Sequence, residues 1–231
     1  MENKRKRKQS GKRSSRRKKF AKVGEIETLL LSRKQQCRQL WDVFSERVGR
    51  RIAPVELDEM ELNETDFLND GEFSHTGKSD DLPQYIAKAV GDWSEISRLS
   101  DSSRKGSPFL FIVTASAVRS VELIKSLSKV KGKMRVAKLF ARHFKVEEQG
   151  MFLKSHVCDI GVGTPNRIQK LVERGSLQLD QLQYFIIDWT WQDVKQRTIR
   201  CIPEVWTDVC QLVQHSIIPR VKNGHTNIGL F

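Results

Sequence analysis

The strongest constraint on the fold is an alternation, from Ser107 onward, of short apolar runs with amphipathic stretches of helical period. The apolar runs predict strands at 109–114, 135–140, 157–162 and 184–188. The stretches after them predict helices at 117–127, 146–154, 165–174 and 204–214. This rhythm is typical of βαβ units, so we predict an α/β fold with three layers, in which helices cover both faces of a parallel sheet.

The segments before this alternation differ sharply in charge. Residues 1–22 contain 12 basic residues and one acid, and their mutual repulsion predicts a disordered basic tail. Residues 23–52 have the period of one amphipathic helix, which packs on the main domain or binds a partner, and both interpretations stay open. Residues 53–81 are acidic and lack a sustained period, so we predict a linker there and place the α/β domain at 82–231.

The net charge of +13 favours a polyanionic partner. Two basic clusters in the tail predict a nuclear import signal, which binds an import receptor and also contacts phosphate; a solubilising arm is the alternative. The clusters are Lys4, Arg5, Lys6, Arg7, Lys8, Arg16, Arg17, Lys18 and Lys19. The four cysteines form no CxxC pair, so we expect reduced thiols and no metal site. No apolar run is long enough to span a bilayer, so we expect no membrane association.

Ligands of parallel α/β sheets meet the carboxyl ends of the strands, which points to the loops 114–116, 161–167 and 188–193. In the second loop a strand ends at glycine, and a Thr-Pro pair opens a helix whose first amides can hold a phosphate. An ordinary strand-to-helix turn is the alternative. The candidate contacts to an RNA backbone are Ser116, Arg119, Gly163, Thr164, Asn166 and Arg167.

The order of three strand-end elements resembles the first RecA-like domain of DEAD-box helicases. Four longer stretches, VTASAVRSVELIKSL, VAKLFARHFKVEEQ, VGTPNRIQKLVERGSL and FIIDWTWQDVKQR, are similar to the Cms-one family, a subunit of the nucleolar 90S pre-ribosomal particle. The resemblance covers about residues 82–231. It implies a single helicase-like domain, a nuclear and nucleolar location, a role in small-subunit ribosome assembly, and pre-ribosomal RNA and assembly proteins as partners.

Departures from the helicase pattern predict that the protein is not an enzyme and uses no cofactor. A tryptophan follows Asp188 where a helicase has the glutamate that positions the attacking water. Lys78 lies in a Thr-Gly-Lys-Ser segment that imitates a P-loop, but the upstream glycine is one residue too far away and the preceding residues do not read as a strand. We therefore treat Lys78 and Asp188 as a degenerate nucleotide site.

Length supports the same expectation, because 231 residues leave no room for the second RecA-like domain that a helicase motor needs. Two alternatives to a non-catalytic assembly factor remain open. One is a weak nucleotide-binding switch or ATPase that uses Lys78 and Asp188. The other is a nuclear adaptor that binds only proteins.

Overall fold

A computed structural model describes residues 29–71, 73–92, 95, 98, 104–142 and 144–231 of the chain. The centre of the fold is a sheet of five parallel strands in the order β4-β5-β3-β6-β7. These strands are β3 (Leu110–Val113), β4 (Val136–Leu139), β5 (Ile160–Gly163), β6 (Tyr184–Ile187) and β7 (Asn227–Leu230). A short antiparallel pair, β1 (Leu29–Leu30) and β2 (Ser74–His75), lies outside this sheet. The basic clusters between Lys4 and Lys19 fall outside the described residues.

Helices cover both faces of the sheet, which confirms the predicted three-layer α/β class. They are α1 (Arg33–Val48), α2 (Pro54–Glu59), α3 (Leu82–Ala89), α4 (Ala117–Leu127), α5 (Val146–Ser155), α6 (Pro165–Glu173), α7 (Pro203–Leu212) and α8 (Ile218–Lys222). Side chains alternate along each strand, so Phe111 and Val113 join the core beneath α1, α6 and α7. Leu110 and Ile112 join the opposite core beneath α3 and α4.

The four predicted strands are present, and the fifth, β7, was not predicted. The segment Asn227–Leu230 closes the chain after a π-helical turn at Val213–Ile217 and the short helix α8. It pairs with β6 in parallel, in a register that places Ile228 beside Phe185 and Leu230 beside Ile187. A single four-residue strand with a glycine at its centre offers little periodicity from which to recognise it.

The first helix packs on the domain, as one of its two interpretations predicts. It begins at Arg33, because the Ser32 hydroxyl accepts the Gln35 amide at 3.3 Å and the Gln35 side chain accepts the Ser32 amide at 2.9 Å. Leu40 and Phe44 on its inner face are fully buried. The apolar stripe of α1 is thus part of the core.

The predicted acidic linker at 53–81 is corrected for its central part, because residues 62–73 contribute buried side chains to the domain, whereas α2 at Pro54–Glu59 has none. The Leu68 amide donates to the Ile228 carbonyl at 2.7 Å, and Phe67 forms a parallel bridge with Ile228. Phe67, Leu68 and Phe73 are all buried. Each of these apolar side chains contacts a different neighbour along an irregular path, so the sequence shows no period. The acids of the segment mostly lie on its solvent side.

Candidate functional site

The loops after β3 and β5 lie side by side at the carboxyl edge of the sheet. The Thr114 amide donates to the Gly163 carbonyl at 2.9 Å. The buried Thr114 hydroxyl contacts Ser120 Oγ at 2.7 Å and donates to the Ser116 carbonyl at 3.0 Å. Ser116 caps α4, since its hydroxyl accepts the Arg119 amide at 3.2 Å. The structure therefore brings two of the predicted strand-end loops into one continuous edge.

Asp188, at the end of β6, is held by Arg119 in a buried ion pair. Arg119 Nε donates to Asp188 Oδ2 at 2.9 Å and Arg119 Nη2 donates to Oδ1 at 3.0 Å, which is a bidentate geometry. The two residues are only 2% and 1% exposed. Burial raises the pKa of the Asp188 carboxyl, and the hydrogen bonds and charge of Arg119 act in the opposite direction. Each carboxylate oxygen of Asp188 therefore accepts a hydrogen bond from the same guanidinium.

The same guanidinium also reaches the P-loop-like segment. Arg119 Nη2 donates to the Gly77 carbonyl at 3.0 Å, and the Arg119 Cζ atom lies 5.3 Å from the centre of the Trp191 ring. Gly77 has a φ of +70°, and a Cβ there would approach the Trp191 Cα to 3.2 Å. Arg119 therefore joins the Gly77 loop to the end of β6 and fills the space between them.

Lys78 itself is exposed, and its amide donates to the Thr76 hydroxyl at 3.2 Å. The loop that carries Lys78 lies near Asp188, but Arg119 lies between them and binds both the Gly77 carbonyl and Asp188. As expected from the sequence, residues 61–70, which are all described, form no strand before this loop. Phe67 makes only an isolated parallel bridge with Ile228.

Two of the predicted RNA contacts, Arg119 and Arg167, have buried side chains. Arg167 is 8% exposed, and its Nη1 donates to the Phe144 carbonyl at 3.0 Å and to Gln149 Oε1 at 3.1 Å. Burial lowers the pKa of the Arg167 guanidinium. Both arginines are buried and donate to protein groups, so this placement argues against a phosphate contact by either one.

Gly163 is required by packing, because a Cβ would lie 1.9 Å from the Leu139 carbonyl oxygen of the neighbouring strand. Three of the six predicted RNA contacts face solvent at least in part. Ser116 and Thr164 are half-buried at the starts of α4 and α6, and Asn166 is exposed with its amide donating to Asp208 at 3.2 Å. These three residues mark the part of the edge that a ligand can reach.

Sequence reasoning missed the Gly77 carbonyl and the Gln149 side chain; it pointed to the loop 188–193 but not to the contact of Trp191 with Arg119. Their contacts join residues far apart in the chain, and no local pattern signals them. Among the described residues, no group of three or more His, Cys, Asp or Glu side chains is placed to hold a metal ion. None of the helices described has both the length and the apolarity to cross a membrane.

Comparison with known proteins identifies a family model that matches the whole sequence and relatives that match up to 80% of it. Residues 1–231 match the family model CMS1, described as the U3-containing 90S pre-ribosomal complex subunit. Protein CMSS1 of Xenopus laevis is 34% identical over 186 residues, which are 80% of this chain and 65% of that protein. Protein CMSS1 of Homo sapiens is 35% identical over 183 residues, covering 79% of this chain and 63% of the human protein.

Protein CMS1 of Chaetomium thermophilum is 32% identical over 169 residues, or 72% of this chain and 66% of that protein. The chain thus spans slightly less than two thirds of the length of these curated relatives. Among solved structures, a DEAD box protein from Methanococcus jannaschii is similar with a TM-score of 0.44 and 17% identity. That likeness covers 82% of this chain and 46% of the other.

Proposed function

The chain belongs to the CMS1 family of U3-containing 90S pre-ribosomal complex subunits, and from this premise we propose that it is a non-catalytic factor of small-subunit ribosome assembly. Its α/β domain holds pre-ribosomal RNA and assembly proteins without turning over a nucleotide. The tail clusters between Lys4 and Lys19 carry it into the nucleus through an import receptor, and it acts in the nucleolus.

The observation that carries this proposal is the position of Arg119. Phosphoryl transfer needs a carboxylate that is free to hold Mg²⁺ and a second group that positions the attacking water. Here the carboxylate of Asp188 is already neutralised by a bidentate arginine, and the next residue is Trp189, whose buried indole donates to Gln39 at 2.9 Å. The polar groups at the end of β6 are therefore bound to other groups of the protein, as in a structural ion pair.

RNA is proposed to contact the edge formed by Ser116, Thr164 and Asn166. Helix starts provide amide donors and a favourable dipole for phosphate, and such contacts ignore base identity. The net charge of +13 supplies the long-range attraction. Since the nucleotide space is filled from within, the affinity for RNA should not depend on ATP.

The proposal is tested by fluorescence anisotropy of labelled single-stranded RNAs with the full chain. We expect similar affinities for unrelated sequences, a steep loss with salt, and no change on adding ATP and Mg²⁺. Asn166→Asp should weaken binding roughly threefold or more, because it adds an anion beside Asp208 at the contact edge. Gln178→Glu, an exposed change beyond the other end of α6, is the matched control. Salt-insensitive binding, or ATP-dependent release, would contradict the proposal.

The nucleotide switch remains the second candidate, because the Gly77 loop does lie at the end of β6. In that alternative Arg119 would have to leave Asp188 when a nucleotide binds. Such a switch would show saturable nucleotide binding that depends on Lys78.

A further inference from the structure

The edge strand β4 borders an apolar groove that the functions considered so far do not use. β4 is the end strand of the sheet and pairs only with β5 among the described strands. Between it and α5 lies a groove of about 520 Å³. Its walls include Val136, Leu139, Phe144, Phe152 and Leu153. The groove is therefore concave, mainly apolar and open at the side of a sheet.

Exposed apolar side chains concentrate beside this groove. Phe144 and Phe152, which line the groove, are 51% and 52% exposed, and Met151, the residue before Phe152 in α5, is 66% exposed. The other large apolar residues that the described chain exposes are all valines. Exposed apolar area of this kind, gathered around a groove, typically marks a binding surface. The cluster thus indicates a surface that becomes covered when a partner binds.

The backbone of β4 offers hydrogen bonds to an incoming strand. The Arg135 carbonyl accepts the Ile160 amide at 3.2 Å and the Leu139 carbonyl accepts the Thr164 amide at 3.0 Å, so these residues face β5. Alternation along the strand turns the polar groups of Val136 and Lys138 to the open side. The Gln149 side chain accepts from Arg167 and donates to the Lys138 carbonyl, which occupies that acceptor. The amides of Val136 and Lys138 still point to the open side and can donate to an incoming strand.

The surroundings of the groove are basic. Arg135, Lys138, Arg142 and Lys145 are all exposed, and none is ion-paired within the described residues. Glu148 lines the groove, whereas the nearby Glu147 is paired with Arg174 at 2.5 Å. The charge that meets a ligand here is therefore net positive, which favours an acidic partner.

We propose that this edge binds an extended acidic segment of an assembly protein, which pairs with β4 and places an apolar side chain in the groove. Strand addition to an exposed edge takes its affinity from backbone hydrogen bonds and its specificity from the pockets beside them. RNA fits this surface less well, because the walls are mainly apolar and one face of the Phe152 ring is covered by His156 at 4.0 Å. The inference goes beyond the proposed RNA contacts and does not depend on them.

The test uses the full chain within purified pre-ribosomal particles, with Phe152 replaced by the photoreactive residue p-benzoyl-phenylalanine. We expect irradiation to produce a crosslink to a protein segment that is net acidic and contains apolar residues. Lys138→Glu, at an exposed position, should lower the yield roughly tenfold, because it opposes the charge of the segment. The matched control places the same photoreactive residue at Val55, an exposed position outside the groove.

Three outcomes would overturn the inference: a crosslink mainly to RNA, a crosslink to a net basic segment, or a yield no higher than at position 55. A thermal melt of Lys138→Glu checks that the variant folds. Its affinity for labelled RNA should stay within about twofold of the unchanged chain, because one exposed charge outside the contact edge is screened by salt. A loss of RNA binding with an intact crosslink would count against the proposed RNA edge and leave the groove standing.

Discussion

At the scale of single residues, Arg119 is the residue whose observed role differs most from the predicted one. From its position in the motif it was predicted to contact RNA, yet it is 2% exposed and binds Asp188, 69 residues away. The sequence could place Asp188 at a strand end, because an apolar run precedes it. It could not show which cation would lie beside it, because that depends on how two strands and a distant loop pack.

The buried pair makes a prediction about stability. Replacing Arg119→Met leaves Asp188 without its partner in the interior, so the free energy of unfolding should fall by about 3 to 5 kcal/mol. Urea unfolding followed by circular dichroism measures this change. The double variant Arg119→Met and Asp188→Leu should recover at least about half of the loss, since no buried charge remains unpaired. A double variant as unstable as the single one would contradict the pairing.

The cysteines give a second prediction, on chemical reactivity. Burial raises the pKa of the Cys158 and Cys210 thiols to about 12, so at pH 8 roughly one molecule in ten thousand carries either thiolate. Cys201 is exposed. Iodoacetamide at pH 8 should therefore label Cys201 quickly and the two buried thiols only after denaturation, as read by peptide mass spectrometry. Equal labelling rates in the folded protein would contradict the described burial.

At the scale of elements, the sequence predicts what is locally periodic. The runs that became β3, β5 and β6 are rich in β-branched and aromatic residues, and both faces of these strands are covered, so they appear as continuous apolar stretches. The residues 64–70 could not be recognised in the same way. Phe67 and Leu68 pair with Ile228, which lies 160 or more residues later in the chain, and no local pattern signals such a contact.

The packing of this segment leads to a third prediction. Phe67→Ala removes a fully buried ring next to β7 and should cost about 3 kcal/mol or more of unfolding free energy. Val55→Ala, at a position 68% exposed in the same acidic region, should cost less than about 0.5 kcal/mol. Chemical denaturation of the two variants checks this. Equal and small effects would restore the interpretation of 53–81 as a linker.

At the scale of the whole molecule, the two edge strands of the sheet differ: one is covered and the other is open. The residues before the Gly77 loop cover β7, whereas β4 stays open beside exposed apolar side chains. The carboxyl edge presents Ser116, Thr164 and Asn166 to solvent, and Arg119 closes the space next to it. In this arrangement the Arg119 guanidinium lies between Asp188 and the Gly77 carbonyl.

The most direct test of this account is isothermal titration calorimetry of ATP with Mg²⁺ into the purified full chain. We expect no saturable heat, because the Arg119 guanidinium already occupies the space between Asp188 and Gly77. Saturable binding that Lys78→Ala abolishes, accompanied by magnesium-dependent release of phosphate, would contradict it.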